Sequence, residues 1–419
     1  MDFKTLPRGD FTLTNVTVPA CFMGQDSDLI RTDIGITGGK IGANSGPAID
    51  MMGAMALPCF VDAHTHLDKG HILPRASNPD GSCMGALETV RADHANWLPE
   101  DVRQRADFAI ACAYSHGTRA IRTHLDAGEE QDERSWPVFA ELREAWAGKV
   151  ALQASSLCGL DYYDMDGRFG RTADIVAEHG GILGTVTYPM EDIKPLLRKF
   201  FDHAIKRGLE VDFHVDETMD PTSETLRDIC EVILEIGFDK PVQVGHLCSL
   251  STQDETRALD TLDLVAKAGL NVVSLPMCNM YLQDRHSGRT PRGRGVTLVH
   301  EMKARGIPVS FASDNTRDPF YAYGDLDMVE VLREATRIGH LDHSNPDWIK
   351  AFTTTPTEAC SFDPVSLQDG APADLILFKA RNWYELMPRP QSDRIVLRDG
   401  EQIDRTLPDY AELDHLFEG

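Results

Sequence analysis

The rhythm of apolar and polar positions changes twice along the 419 residues. Up to about residue 56 the apolar positions form short strand-like runs, at 11–18, 33–36 and 40–41. Thr37-Gly38-Gly39 supplies a hairpin turn between the last two. From residue 57 apolar strands alternate with longer helical stretches. Strands are predicted over 57–63, 118–124, 150–156, 181–186, 209–214, 241–246, 270–275 and 307–313. Helices are predicted over 100–116, 133–147, 191–207, 222–236, 253–268 and 296–305. Ser223 followed by Glu224, and Ser251 followed by Asp254, offer N-terminal capping. Gly208, Gly237, Gly269 and Gly306 each follow a helical run, where a left-handed closing residue is wanted. After Phe362 strand-like runs return, at 373–378 and 394–400.

Eight strand–helix units in succession predict an α/β fold, a (β/α)8 TIM barrel. A doubly wound sheet is disfavoured because the first unit has no glycine-rich dinucleotide turn. The terminal β segments are each too small to hold a core. They are expected to pair beside the barrel as one small β-sandwich domain built from both chain termini. The expected organisation is a discontinuous β domain, 1–56 with 363–419, and a barrel over 57–362.

Composition narrows the partners. Lys and Arg number 41 against 66 Asp and Glu, a formal charge of −25, which excludes nucleic acid and anionic membranes as natural partners. Nine scattered cysteines without a C-x-x-C pair argue against a disulfide framework and for a reducing compartment. No run of 18 apolar residues occurs, and Met1-Asp2-Phe3-Lys4 has no signal-peptide layout, so a cytoplasmic location is expected.

In such a barrel the chemistry gathers at the C-terminal ends of the strands. Those ends carry His64 and His66, then His124 and Asp126, then His214, Asp216 and Glu217, then His246, and last Asp314-Asn315. Five of the 15 histidines therefore fall at strand ends. Any one alone would read as a core or supporting histidine, but four separate strand ends in order do not. Seven of the other ten (His94, His116, His179, His203, His300, His340 and His343) are expected to be solvated. His64 and His66 lie two apart on a strand and point the same way, so both imidazoles can grip one divalent metal. Hydrolysis at neutral pH needs a metal that acidifies bound water and a carboxylate that moves protons. His64, His66, His214 and Asp314 meet the first need with a coordination position left open. Glu217, three residues past His214, meets the second, and His246 can donate a hydrogen bond to the water or to a developing oxyanion.

The order His-x-His, His, His, Asp on successive strands resembles the amidohydrolase superfamily. Phe60-Val61-Asp62-Ala63-His64-Thr65-His66 is similar to its first-strand motif, and Gly370-Ala371-Pro372-Ala373-Asp374-Leu375 to its return into the small domain. Arg122-Thr123-His124-Leu125-Asp126, His214-Val215-Asp216-Glu217, Gly245-His246, Leu282-Gln283 and Ser313-Asp314-Asn315 resemble the cytosine deaminase subgroup, which includes N-isopropylammelide isopropylaminohydrolase. The resemblance implies a metal-dependent hydrolase that deaminates, or removes a substituted amine from, a small nitrogen heterocycle such as a pyrimidine or triazine. It implies one divalent ion, zinc or iron, on His64, His66, His214 and Asp314, with Glu217 as proton shuttle and His246 and Asp314 assisting attack on the ring carbon. No lysine lies in Gly184-Thr185-Val186-Thr187-Tyr188, so the carbamylated-lysine bridge of binuclear relatives is not expected. An amidase acting on a cyclic or linear amide with the same site is the alternative. A non-catalytic metal-binding protein would be expected to lack Glu217 and His246.

Two departures bear on substrate. Leu157 stands where the cytosine deaminases read the ring amide with glutamine, and Asn315 replaces the second of their paired aspartates. A leucine leaves polar ring groups unpaired, which makes cytosine a poor choice. Leu157, His124, Asn315, Phe320 and Lys69 are the expected substrate contacts, with His71, Tyr321 and Tyr323 nearby. The basic loop over 285–294 is expected to be a solvated or subunit-facing surface that could also pair with an anionic group. A homo-oligomer acting on a small heterocycle is the expected assembly.

Overall fold

The computed structural model describes residues 3–128, 130–164 and 167–417. Five strands come first: β1 (Phe11–Pro19), β2 (Leu29–Thr37), β3 (Lys40–Gly42), β4 (Ala48–Asp50) and β5 (Met55–Pro58). β2 turns into β3 through Gly38 and Gly39, both at positive φ as a tight hairpin requires. Eight parallel strands follow: β6 (Phe60–Thr65), β7 (Thr118–Asp126), β8 (Ala151–Leu157), β9 (Leu183–Thr187), β10 (Val211–Val215), β11 (Val242–His246), β12 (Asn271–Ser274) and β13 (Val309–Phe311). Then come β14 (Leu375–Phe378), β15 (Ile395–Arg398) and β16 (Glu401–Gln402). β14 pairs antiparallel with β5, so strands from both ends of the chain share one eight-stranded sheet.

The barrel closes at two seams. β6, β7 and β8 form one ladder and β9 to β13 another. Ser155 with Ile182, and Gly159 with Val186, bridge β8 to β9. At the other seam the Asp314 amide donates to the His64 carbonyl at 2.9 Å, and the Thr65 hydroxyl donates to the Asp314 carbonyl at 2.7 Å. The predicted barrel strands all appear, with one correction. The run predicted at 57–63 is two strands: Leu57 and Pro58 pair with β14, and the barrel strand starts at Phe60. Between them the Cys59 amide donates to the Asp374 carbonyl at 3.0 Å. Both pieces are fully buried, so the hydrophobic pattern runs through without marking the change of partner.

Helix ends follow local chemistry, also with corrections. Gly208, Gly237 and Gly269 close their helices in the left-handed conformation, and Gly306 has the same positive φ. Ser223 does not cap the helix Thr225–Ile236. Asp216 reaches over instead and accepts from the amides of Thr225 and Leu226 and from the hydroxyls of Ser223 and Thr225. For the helix Glu255–Ala268 the cap is Asp254, which accepts from the Arg257 amide, while Ser251 donates to the Cys248 carbonyl. Among the described residues no helix is long and apolar enough to cross a membrane.

The barrel interior is polar as well as aliphatic. Arg122, wholly buried, donates to Asp212 at 3.3 Å, to Gln153 at 3.0 and 3.1 Å and to Glu210 at 3.3 Å. Gln243 donates to Asp212 at 2.8 Å and to the Ala63 carbonyl at 3.0 Å. Buried charge is tolerated because each group is paired.

Arg394, just before β15, fastens the terminal sheet to the barrel. It is 2% exposed and meets Asp327, the N-cap of the helix Met328–Gly339, through two bonds of 2.7 and 2.5 Å. The expectation that His116 is solvated is overturned here. His116 is buried, with Nε2 2.8 Å from Asp325, and Arg394 donates to its carbonyl at 3.2 Å. Burial alone would raise the Asp327 carboxyl, but Arg394 and then His116 outweigh it and hold it well below the usual carboxylate range. Asp327→Asn leaves Arg394 buried without its counter-charge and is expected to cost about 3–5 kcal/mol at neutral pH. A folded carboxyl held low contributes stability that is full above the unfolded pKa of about 3.9 and lost as pH falls through the folded value. The gap between wild type and Asp327→Asn in urea melts should therefore be largest near neutrality and shrink in acid.

Candidate active site

Four strand ends bring the metal-type side chains to one point. His64 Nε2 lies 3.1 Å from His214 Nε2, which lies 3.4 Å from His66 Nε2. Asp314 Oδ1 is 3.2 Å from His66 Nε2 and 3.6 Å from His64 Nε2. All four are buried. Burial, then the neighbouring imidazoles for His64 and His214 and the Lys69 ammonium for His66, pushes the three histidines well below their ordinary pKa, so each offers a lone pair. Burial also raises the Asp314 carboxyl, whose two oxygens have no hydrogen-bond partner among the described residues. Facing nitrogens at about 3 Å beside an unpartnered carboxyl are what one divalent cation would satisfy, and N and O donors of this kind suit zinc or iron. Gly245 makes room for the arrangement, because a Cβ there would stand 3.0 Å from the His64 ring.

Glu217 and His246 stand beside this cluster. His246 Nδ1 is 3.5 Å from Glu217 Oε1, and its ring centre is 4.8 Å from that of His214. Burial, then Asp314, raises the Glu217 carboxyl, while Lys69 lowers it. Asn279, on the short helix Pro276–Leu282, was not anticipated from the sequence. Its Nδ2 is 2.9 Å from His246 Nδ1 and 3.4 Å from Glu217 Oε1. An amide facing both a carboxylate and an imidazole nitrogen presents its NH2 group, which leaves the His246 proton on Nε2. Gln283, one helical turn after Asn279, donates to the Glu217 carbonyl at 3.1 Å. That i, i+4 spacing ahead of Leu282-Gln283 was the available signal for Asn279. His246 and Asp314 have φ of 73° and 65°, a left-handed backbone that non-glycine residues adopt at a cost and that clusters at functional sites.

The other candidates divide. Lys69, buried, donates to Asp126 at 2.8 Å and lies 5.3 Å from the Phe320 ring centre. His94, expected in solvent, reaches Asp126 from the other side at 3.3 Å. Leu157 pairs in register with Asp126 at the end of β8, and its buried side chain joins none of the apolar clusters among the described residues. Asn315 is oriented by Asp318 at 2.8 Å and by the Cys278 thiol at 3.5 Å. His124 sits among the histidine rings, 4.0 Å from His64, wholly buried. His71 packs edge-on against Phe108 at 5.0 Å, away from the cluster. Tyr321 packs against Tyr281, and Tyr323 is largely exposed. The basic loop folds on Asp284, which takes Arg289 and the Arg292 and Gly293 amides.

The chain matches the amidohydrolase family over residues 100–404. It is 52% identical, over 96% of its own length and 96% of the other protein's, to a pterin deaminase of Rhizobium rhizogenes. The chain belongs to the amidohydrolase family. As an amidohydrolase it is a hydrolase of carbon–nitrogen bonds other than peptide bonds. Its fold is that of 5-methylcytosine deaminase from Klebsiella pneumoniae with 5-fluorocytosine bound, at TM-score 0.81, 24% identity, and coverage of 95% of this chain and 98% of that one. N-isopropylammelide isopropylaminohydrolase from Burkholderia multivorans superposes at TM-score 0.74 with 24% identity, over 94% and 98% of the two chains.

The Asn279 contacts carry a direct test. Asn279→Leu keeps the volume but removes the donor that fixes the His246 proton on Nε2. Turnover should fall by roughly tenfold to a hundredfold, the usual scale for a group that orients a catalytic residue. Metal content and melting temperature should change little, and an unchanged kcat would contradict the assigned tautomer.

Proposed function

We propose that this amidohydrolase deaminates a pterin, hydrolysing the exocyclic amine from the pyrimidine half of the fused ring. The observation that carries the reading is the 52% identity, across nearly the whole of both chains, to a protein with that activity. Leu157 supports it, because a fused second ring offers an apolar edge to a wall where an amide reader would be expected. Lys69, Asp126, Asn315 and Phe320 would supply the remaining contacts. Burial alone would lower the Lys69 ammonium, but Asp126 and then Asp68 outweigh it and keep it charged beside the ring.

His64, His66, His214 and Asp314 would hold one zinc or iron ion. A divalent cation there supplies the acidity that makes water a nucleophile at neutral pH. Glu217 accepts a proton from the attacking water and passes it to the departing nitrogen as the C–N bond breaks, so ammonia leaves and the ring carbon keeps the oxygen. Raised by burial and by Asp314, the Glu217 carboxyl can hold a proton between those two transfers. His246 directs its Nε2 hydrogen at the oxygen that gains charge, and Asn279 keeps the hydrogen there.

The wider organisation follows the same reading. The terminal unit, 1–56 with 363–419, would fold its sheet into a small sandwich against the barrel unit, 57–362, with the junction shifted to Pro58 by strand pairing. Complete burial of β14 and near-complete burial of β15 support two covered faces. Nine free cysteines support a reducing, cytoplasmic setting, and a homo-oligomer is the proposed assembly.

Ammonia release should be compared across pterin, cytosine, a triazine and a purine. Pterin should give the highest kcat/KM, and cytosine doing as well as pterin would sink the reading of Leu157. Leu157→Gln should lower pterin turnover, by a change on the order of the 1–3 kcal/mol that one pocket contact is worth, while improving cytosine. For Glu217→Gln, kcat on the best substrate should fall by roughly 10²–10⁴ with metal content intact. Loss of metal with normal turnover after reloading would show that Glu217 is a ligand and not the proton carrier.

A further inference from the structure

No step of the deamination uses the basic loop that follows the helix Pro276–Leu282. Residues 285–294 carry Arg285, His286, Arg289, Arg292 and Arg294 and no acidic residue, in a chain of formal charge −25. The loop lies along the pocket. At its root Gln283 donates to the Glu217 carbonyl at 3.1 Å. Further on, Gly293 rests on the Met219 side chain, two residues past Glu217, and Gly295 rests on Gln283, each so closely that a Cβ would collide. Arg285 lies in the same way against Gly81, in the connection that follows β6. Burial, then Glu217, raises the thiol of Cys83 two residues later, so this connection borders the pocket too. The two segments meet where the mouth opens above Glu217.

The positive charges of the loop are unequally engaged. Asp284 takes Arg289, His286 and the Arg292 and Gly293 amides. Arg285 donates to the Tyr281 carbonyl at 2.6 and 3.0 Å and stands 4.3 Å from the Tyr281 ring centre. Arg292 and Arg294 are exposed on either side of Gly293, and neither guanidinium has a hydrogen bond or ion pair among the described residues. A free guanidinium is a planar fork that fits a carboxylate. A strongly acidic protein repels an anionic substrate, and a local positive rim is what admits one. The strand-end cluster is the closed floor, so a pterin reacting at its amine-bearing carbon turns its second ring toward this rim.

We propose that Arg292 and Arg294 make the enzyme selective for pterins that carry a carboxylate on the second ring, the ring that is not deaminated. The inference rests on the pterin deaminase reading and deepens it.

Metal-loaded enzyme is assayed with pterin-6-carboxylate and with the neutral 6-hydroxymethylpterin, and the ratio of the two kcat/KM values is taken. That ratio does not depend on how much of each preparation is folded. In wild type it should favour the carboxylate by roughly tenfold, and it should shrink as salt rises from about 0.05 to 0.5 M. Arg292→Gln/Arg294→Gln should bring it to within about twofold of one, mainly by raising KM for the carboxylate. Arg8→Gln/Lys379→Gln removes the same charge from exposed positions beside the terminal sheet and should keep the wild-type ratio. A wild-type ratio near one, a ratio that survives the rim substitutions, or one that falls as far in the terminal-sheet variant would overturn the inference alone. Failure of wild type to deaminate either pterin would overturn the pterin reading with it.

Discussion

The site depends on how the barrel closes. A parallel barrel must join its first strand to its last, and this chain makes the join with the residues that carry the chemistry. The Asp314 amide bonded to the His64 carbonyl, and the Thr65 hydroxyl bonded to the Asp314 carbonyl, fix the backbone of both proposed ligands within one seam. Closing the barrel and assembling the centre are therefore a single event. The left-handed φ of Asp314 lies just past β13, where the chain turns the carboxyl inward, and the cost of that conformation is offset by the seam.

Electrostatics then gives the cluster its character. Three imidazoles crowded in a dry strand-end cluster are held neutral, and two carboxyls beside them are pushed up, chiefly by burial. Left to themselves these groups are mutually unsatisfied, which is the signature of a place prepared for a cation. Lys69, charged and paired with Asp126, lowers both the Glu217 and the Asp314 carboxyl. Its ammonium thus ties the pocket to the proton-handling groups.

Much of this was legible in the sequence because it is periodic or local. Alternating strands and helices gave all eight barrel strands, and polar residues at their ends gave His64, His66, His214, Glu217, His246 and Asp314 as neighbours. What escaped depends on contacts between distant segments. Asp216 caps a helix across a loop, Asn279 meets His246 from another element, and His116 meets Asp325 and Arg394 from far along the chain. Of these only Asn279, one helical turn before Gln283, leaves a mark in local spacing. The division of 57–63 into two strands escaped for a related reason, since burial on both sides gives one unbroken apolar run whichever sheet each residue joins. His124 was found as a strand-end residue, but whether it faced substrate or the ligand rings could only be read from ring positions.

The most direct test of the account is a metal titration of chelator-stripped enzyme with zinc or iron(II), following ammonia release from pterin. Turnover should be absent from the stripped protein, rise in proportion to added metal, and level off at about one ion per chain, as expected of a single centre on converging side chains. Full turnover in stripped protein, or a rise that continues to two ions per chain, would contradict it.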